Sequence, residues 1–158
     1  MKSSFFGTAL VLGLLSAIGP FAIDMYLPAL PAIGVNLQAD AGAVQMSLMA
    51  FFVALGLSQA FYGPAADIYG RKPLFVVSIS IFLVTSMACG WSQTIVQLIV
   101  FRALQGLGAG GLMVLAQSTI GDVVKPAERG RYQGIVSGTW AIASIAGPPL
   151  GGFITSAL

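Results

Sequence analysis

The chain has 158 residues, 57% of them apolar and 8% charged, with seven Lys and Arg against five Asp and Glu and a formal net charge of +2. Soluble domains carry roughly 25% charged residues, and a chain so poor in charge cannot keep a single apolar core dissolved. With a mean hydropathy of +0.92, it reads as an all-α membrane protein whose first partner is the lipid bilayer.

The same composition excludes several functions. So small and scattered a charge offers nothing to nucleic acid. The sequence has no histidine, which removes Ser-His and Cys-His catalysis and His-ligated metal sites. The single cysteine, Cys89, permits neither a disulfide nor a thiolate metal cluster within the chain. No enzyme activity, metal or cofactor is expected.

A helix needs about 20 mostly apolar residues to cross the hydrocarbon core. The first apolar run gives a span at about 5–28, carrying Asp24 near its outer end and followed by "LPALPA". An uncharged stretch over 41–66 gives the second span, 44–64. Next comes "GPAADIYGRKP" (63–73), a tight Gly/Pro-bounded turn that concentrates Asp67, Arg71 and Lys72 in a chain that otherwise avoids charge. The block from Pro73 to Gly121 is too long for one span, and "GWSQT" (90–94) splits it into helices at 73–91 and 95–119. The last run holds a fifth span at 133–155. A signal-peptide reading of the N-terminus is disfavoured, because its apolar run exceeds the usual length and no A-x-A site precedes Asp24.

Six of the seven bases fall on one side of this arrangement. Lys2 precedes the first helix, Arg71 and Lys72 join the second and third, and Lys125, Arg129 and Arg131 join the fourth and fifth. The opposite loops hold Asp40 and no Lys or Arg. The positive-inside rule puts the basic side and the N-terminus in the cytoplasm, with the last helix running outward to Leu158.

Two ionisable residues lie within spans, Asp24 in the first and Arg102 in the fourth. A charge at mid-membrane costs about 2.5–3.5 kcal/mol on an insertion scale, so such groups usually face a cavity or a partner. Interfacial hydration of Asp24 and snorkelling of Arg102 are the bland alternatives. Opposite signs on two helices suggest a pair across a polar cavity. Small residues one turn apart, at Gly106 and Gly110, Gly134 and Gly138, and Gly147 and Gly151, are expected to bring helix backbones close. The match of Gly106, Gly108 and Gly111 to G-x-G-x-x-G is accidental, since no strand precedes it. Pro148 and Pro149 are expected to break the last helix's hydrogen-bond ladder and kink it.

These residues carry a resemblance. Gly63, Asp67, Gly70, Arg71 and Lys72 resemble the signature between the second and third helices of the major facilitator superfamily, although Ile68 stands where that family has a base and Ala65 where it has Leu. Arg102, Gln105, Gly106 and Gly108 are similar to its fourth-helix pattern. Gly134, Gly147, Pro148, Gly151 and Gly152 resemble the fifth-helix pattern of its proton-driven exporters, with Ala143 in place of an expected Gly. "DMYLPALP" (24–31) and Pro64 look like the Bcr/CflA drug-efflux branch.

The resemblance implies the first five helices of a fold with twelve or more spans, hence a piece of a transporter whose C-terminal half would be its partner. It implies proton-coupled export of small drug-like molecules across a plasma membrane, such as a bacterial inner membrane. Asp24 would answer to protons, and Arg102 would influence it from the cavity. The 63–72 cluster would latch the two halves on the cytoplasmic side, Asp67 capping the third helix or pairing with a base. Uptake by another branch of the superfamily, or a non-transporting membrane subunit, are the alternatives.

Overall fold

In a computed structural model, the chain is helical throughout, and the structure describes residues 2–157. Leu158 and the Lys2 side chain, both used in the orientation argument, lie outside the described residues. The helices are α1 (Lys2–Tyr26), α2 (Leu30–Asn36), α3 (Ala41–Tyr69), α4 (Arg71–Gly90), α5 (Ile95–Val123) and α6 (Arg129–Ala157), with 3-10 turns at Leu27–Ala29 and Pro126–Glu128.

Gly7–Asn36, Ala41–Tyr69, Arg71–Gly90 and Ile95–Asp122 are long and apolar enough to cross a membrane. At 29 residues α6 matches them in length, but its Gly, Ser and Thr residues lower its hydropathy. The bundle's outer surface is apolar, with Phe52, Leu57, Phe61, Val84, Ile145 and Phe153 all exposed. In water such a surface would be an aggregation hazard; against lipid it needs no partner.

Several expected boundaries move outward. The first span does not stop near residue 28. The 3-10 turn carries it into α2, which occupies much of what the sequence suggested was loop. Pro28 and Pro31 are each the second residue of these two short elements, in the first turn, where a missing N–H costs nothing. Asp40 then caps α3, its carboxylate accepting from the Ala43 N–H at 3.1 Å, and Thr94 caps α5 by accepting from the Gln97 N–H at 3.3 Å. The division of the long third block falls where expected, with α4 ending at Gly90 and α5 beginning at Ile95.

The largest correction concerns the 63–73 turn. The expected spans, 44–64 and 73–91, left a loop over 65–72, and no such loop exists. Helix α3 runs through Pro64 and Asp67 to Tyr69, α4 starts at Arg71, and Gly70 alone lies between them at φ 80°, ψ 162°. Membrane helices tolerate Pro inside them, which is why Pro64 ends nothing. Pro148 and Pro149 likewise lie within α6, which continues past them to Ala157, although neither has an N–H to give to the helix ladder.

Helix α5 is the centre of the bundle, packing along α3, α4 and α1, while α6 packs along α1. Glycines set those distances. A Cβ on Gly106 would strike the Phe51 carbonyl, and one on Gly110 would lie 2.6 Å from the Leu55 carbonyl oxygen, both on α3. Gly108 meets α4 instead, 2.8 Å from the Phe82 nitrogen and the Ser78 oxygen. Gly147 and Gly151 bring α6 onto Asp24 and Met25 of α1. Gly134 and Gly138, expected to do the same, have nothing within 4 Å; they point away from α1. At the basic end α1, α5 and α6 share a core of Leu12, Ala116, Ile120, Tyr132 and Val136.

Candidate functional site

The site grows from one buried cation. Arg102 is 3% exposed, so it does not snorkel. It lies about two turns into α5, and its Nη1 donates to the Gln105 Oε1 at 2.8 Å. One helical turn separates the two residues, which puts them on one face. Gln105 Nε2 donates to the Ser86 Oγ at 2.7 Å, and the Ser86 hydroxyl donates to the Phe82 carbonyl at 2.6 Å. A one-way chain of donors thus runs from α5 to α4. The thiol of Cys89 stands 4.0 Å from the same Gln105 oxygen.

Aromatic rings close over the guanidinium. Its central carbon lies 3.8 Å from the Tyr26 ring centroid and 4.7 Å from that of Phe51, within the range of cation–π attraction. Tyr26 is itself fixed, its hydroxyl 2.6 Å from the Ser47 Oγ. Because the Ser47 proton goes to the Val44 carbonyl at 2.6 Å, Tyr26 is the donor in that pair. Beside this cluster a cavity of about 540 Å³ opens between α1 and α4, lined by Arg102, Gln105, Ser86 and Tyr26 and walled by apolar residues including Phe21 and Phe82.

Asp24 stands apart from it. The half-buried Asp24 lies on α1 at the contact with α6, where a Cβ on Gly147 would be 2.7 Å from its own Cβ. Among the described residues its carboxylate has no hydrogen bond or ion pair. The residue of α1 that meets Arg102 is Tyr26. Two residues differ by about 200° around a helix, which separates the α6-facing position from the cavity-facing one. Pro148 and Gly152 flank the contact, and Gly152 has nothing within 4 Å.

At the basic end Arg71 forms an ion pair with Asp122 at the end of α5. Asp67 is exposed in the last turn of α3 and Lys72 is exposed at the start of α4. Gly70 opens α4 with no side-chain cap, so Asp67 does not cap that helix. The break at Gly70 also removes the one-turn neighbourhood that Asp67 and Arg71 would share on a continuous helix. Gly63 lies inside α3 with open space beside it. Arg129 secures the next turn, donating from Nη2 to the Gly121 carbonyl at 2.7 Å and from Nε to the Val124 carbonyl at 3.3 Å. Both base-rich turns therefore meet the same end of α5.

Sequence reasoning missed Tyr26, Phe51, Ser47, Ser86 and Asp122. For Tyr26 a signal existed: a polar aromatic ending an apolar run next to Pro28. For the others none did.

An all-helical bundle with apolar outer faces, a buried arginine and a cavity between its helices defines a multi-pass membrane protein. Residues 12–158 match the family model of the Major Facilitator Superfamily, and the chain belongs to that superfamily of membrane transporters. Among its relatives, the Uncharacterized MFS-type transporter YdgK of Bacillus subtilis is 36% identical over 92% of this chain and 36% of the relative. Multidrug resistance protein 3 of the same organism is 38% identical over 94% of the chain and 29% of the relative. The Efflux pump dotC of Dothistroma septosporum is 36% identical over 94% and 26%. The chain thus spans about a third or less of the length of these relatives.

Proposed function

We propose that the chain is the N-terminal portion of a proton-coupled exporter of small, amphipathic, drug-like molecules, with the basic ends of its helices and its N-terminus in the cytoplasm. The observation that carries the reading is the backbone-close seating of Gly147 and Gly151 on Asp24 and Met25. It joins the helix pattern that resembles proton-driven exporters to Asp24, the half-buried carboxylate near the end of α1. Relatives named as a multidrug resistance protein and an efflux pump favour the same direction of transport. In this reading Asp24 takes up and releases the proton as access alternates, α6 sets its surroundings, and the Arg102 cavity holds part of the cargo. The Arg71–Asp122 pair and Gly70 form the cytoplasmic latch, with a C-terminal half as the partner across it.

The test is drug efflux against external pH in the full-length transporter. Asp24→Asn should insert normally and flatten the pH profile of efflux. An unchanged profile ends the proton-site assignment. Orientation has its own measurement. In a Cys89→Ala background, Asp40→Cys should react with an impermeant maleimide added outside cells and Lys125→Cys should not, because the base-rich ends face inward. Equal labelling of the two would overturn the orientation.

A further inference from the structure

We propose that the Arg102 cavity is a binding site for amphipathic carboxylates, taking the carboxylate on the arginine and the apolar tail between α1 and α4. The inference deepens the export reading by naming a ligand class, and it rests on that reading only for the direction of movement.

The argument starts from the donors Arg102 leaves over. Nη1 is committed to Gln105. Nε and Nη2 are buried and have no partner. In a guanidinium these two nitrogens lie along one edge, with parallel N–H bonds, and that edge matches the two oxygens of a carboxylate. The Tyr26 and Phe51 rings lie over the guanidinium carbon, so this buried edge is the part of the group left without a partner. An uncompensated buried charge is costly, and among the described residues no acidic side chain pairs with this one. An anion from outside the chain would compensate it.

The other polar groups of the site are already satisfied in a way that leaves them unsuited to a cationic ligand. Gln105 Oε1 accepts from Arg102, the Ser86 hydroxyl donates to a backbone carbonyl, and the Tyr26 hydroxyl donates to Ser47. Among the described residues no carboxylate lines the cavity. Its remaining wall is apolar, with Ile18, Phe21 and Met25 from α1 facing Ile79, Phe82 and Leu83 from α4. At about 540 Å³ it falls within the range of small-molecule sites. A single charged anchor at one end of an apolar slot selects a ligand with an anionic head and an apolar body.

The test uses the full-length transporter in phosphatidylcholine nanodiscs and a dodecanoic acid analogue carrying a diazirine near its far end. After irradiation, peptide mapping should find cross-links on Phe21, Met25 or Phe82. Excess dodecanoate should suppress them about tenfold or more, the factor that one charge-assisted hydrogen-bonded pair supplies, while equal dodecyltrimethylammonium should not. Arg102→Gln should lose the labelling to a similar extent at unchanged helix content, and Arg102→Lys should keep part of it. Equal suppression by the ammonium compound would overturn the proposal, as would undiminished labelling of Arg102→Gln or cross-links confined to lipid-facing residues such as Phe61 and Val84. If Arg102→Gln does not fold, the two competitors on the unmutated chain decide alone. An exporter of neutral or cationic drugs would fail this test and still lose its pH profile on Asp24→Asn, so the two readings fail separately.

Discussion

Gly110→Val should destabilise the bundle by at least about 2 kcal/mol, at the upper end of what overpacking a core costs. A Cβ at this position meets the Ser58 hydroxyl and stands 2.6 Å from the Leu55 carbonyl oxygen and 3.3 Å from its carbon. The hydroxyl could turn away, but the carbonyl belongs to the backbone of α3, so relief requires moving the whole helix off α5. Doing so would also disturb Gly106, whose approach to the Phe51 carbonyl lies one turn earlier on the same face. Gly134→Val supplies the control. It has the same one-turn glycine spacing in sequence and open space around it, so the change should stay within about 0.5 kcal/mol. Thermal unfolding of the two variants in a mild detergent measures the contrast. Equal losses would mean that glycine spacing alone, without the α3–α5 contact, governs stability.

Gly70→Ala should be destabilising and Gly63→Ala should not, although both glycines belong to one sequence signature. Gly70 is held at φ 80°, ψ 162°, a region essentially closed to residues with a Cβ and costing of order 1–3 kcal/mol to occupy. It is the whole connection between α3 and α4, so the strain cannot spread into a loop. Gly63 is helical with nothing within 4 Å, and Ala there should stabilise by about 0.5–1 kcal/mol through helix propensity. Opposite signs of the shift in unfolding midpoint are the expected result. A Gly70→Ala variant as stable as the parent would show that the turn adopts another conformation. Loss of the Gly70 geometry should also weaken the reach of Arg71 to Asp122, because Arg71 is the next residue in the chain.

The membrane architecture was legible in the sequence because lipid leaves few alternatives: long uncharged runs must be helices. The split at "GWSQT" was legible for the same reason, since a 49-residue apolar block cannot cross once. Less could be read near prolines. Pro28, Pro31, Pro64, Pro148 and Pro149 look like terminators by the rules of soluble helices, yet all lie in short or long helical elements here. The site was half legible. Arg102 and Gln105 sit one turn apart in sequence, and that spacing alone puts them together. Which residue of α1 faces them depends on how α1 is rotated against α5, and sequence does not carry that angle. Asp24 was the charged choice; Tyr26 is the one in contact. The partner of Arg71 was missed because Asp122 is 51 residues away, and only the return of α5 to the basic end brings it near.

The packing pattern has a mechanical consequence. Helices α3, α4 and α5 are interlocked by Gly106, Gly108, Gly110 and Gly111, and α6 is keyed to α1 by Gly147 and Gly151. Helix α6 meets α5 only slightly, close to the turn where Arg129 holds the α5 carbonyls. The molecule is therefore a tight trio and a tight pair sharing one seam along α1 and α5. Sliding or tilting the pair on the trio leaves these glycine keys engaged, with only Gly19 of α1 facing Ala109 and Met113 of α5 across the seam. What it changes is the gap between Phe21 and Phe82, the aperture in front of Arg102.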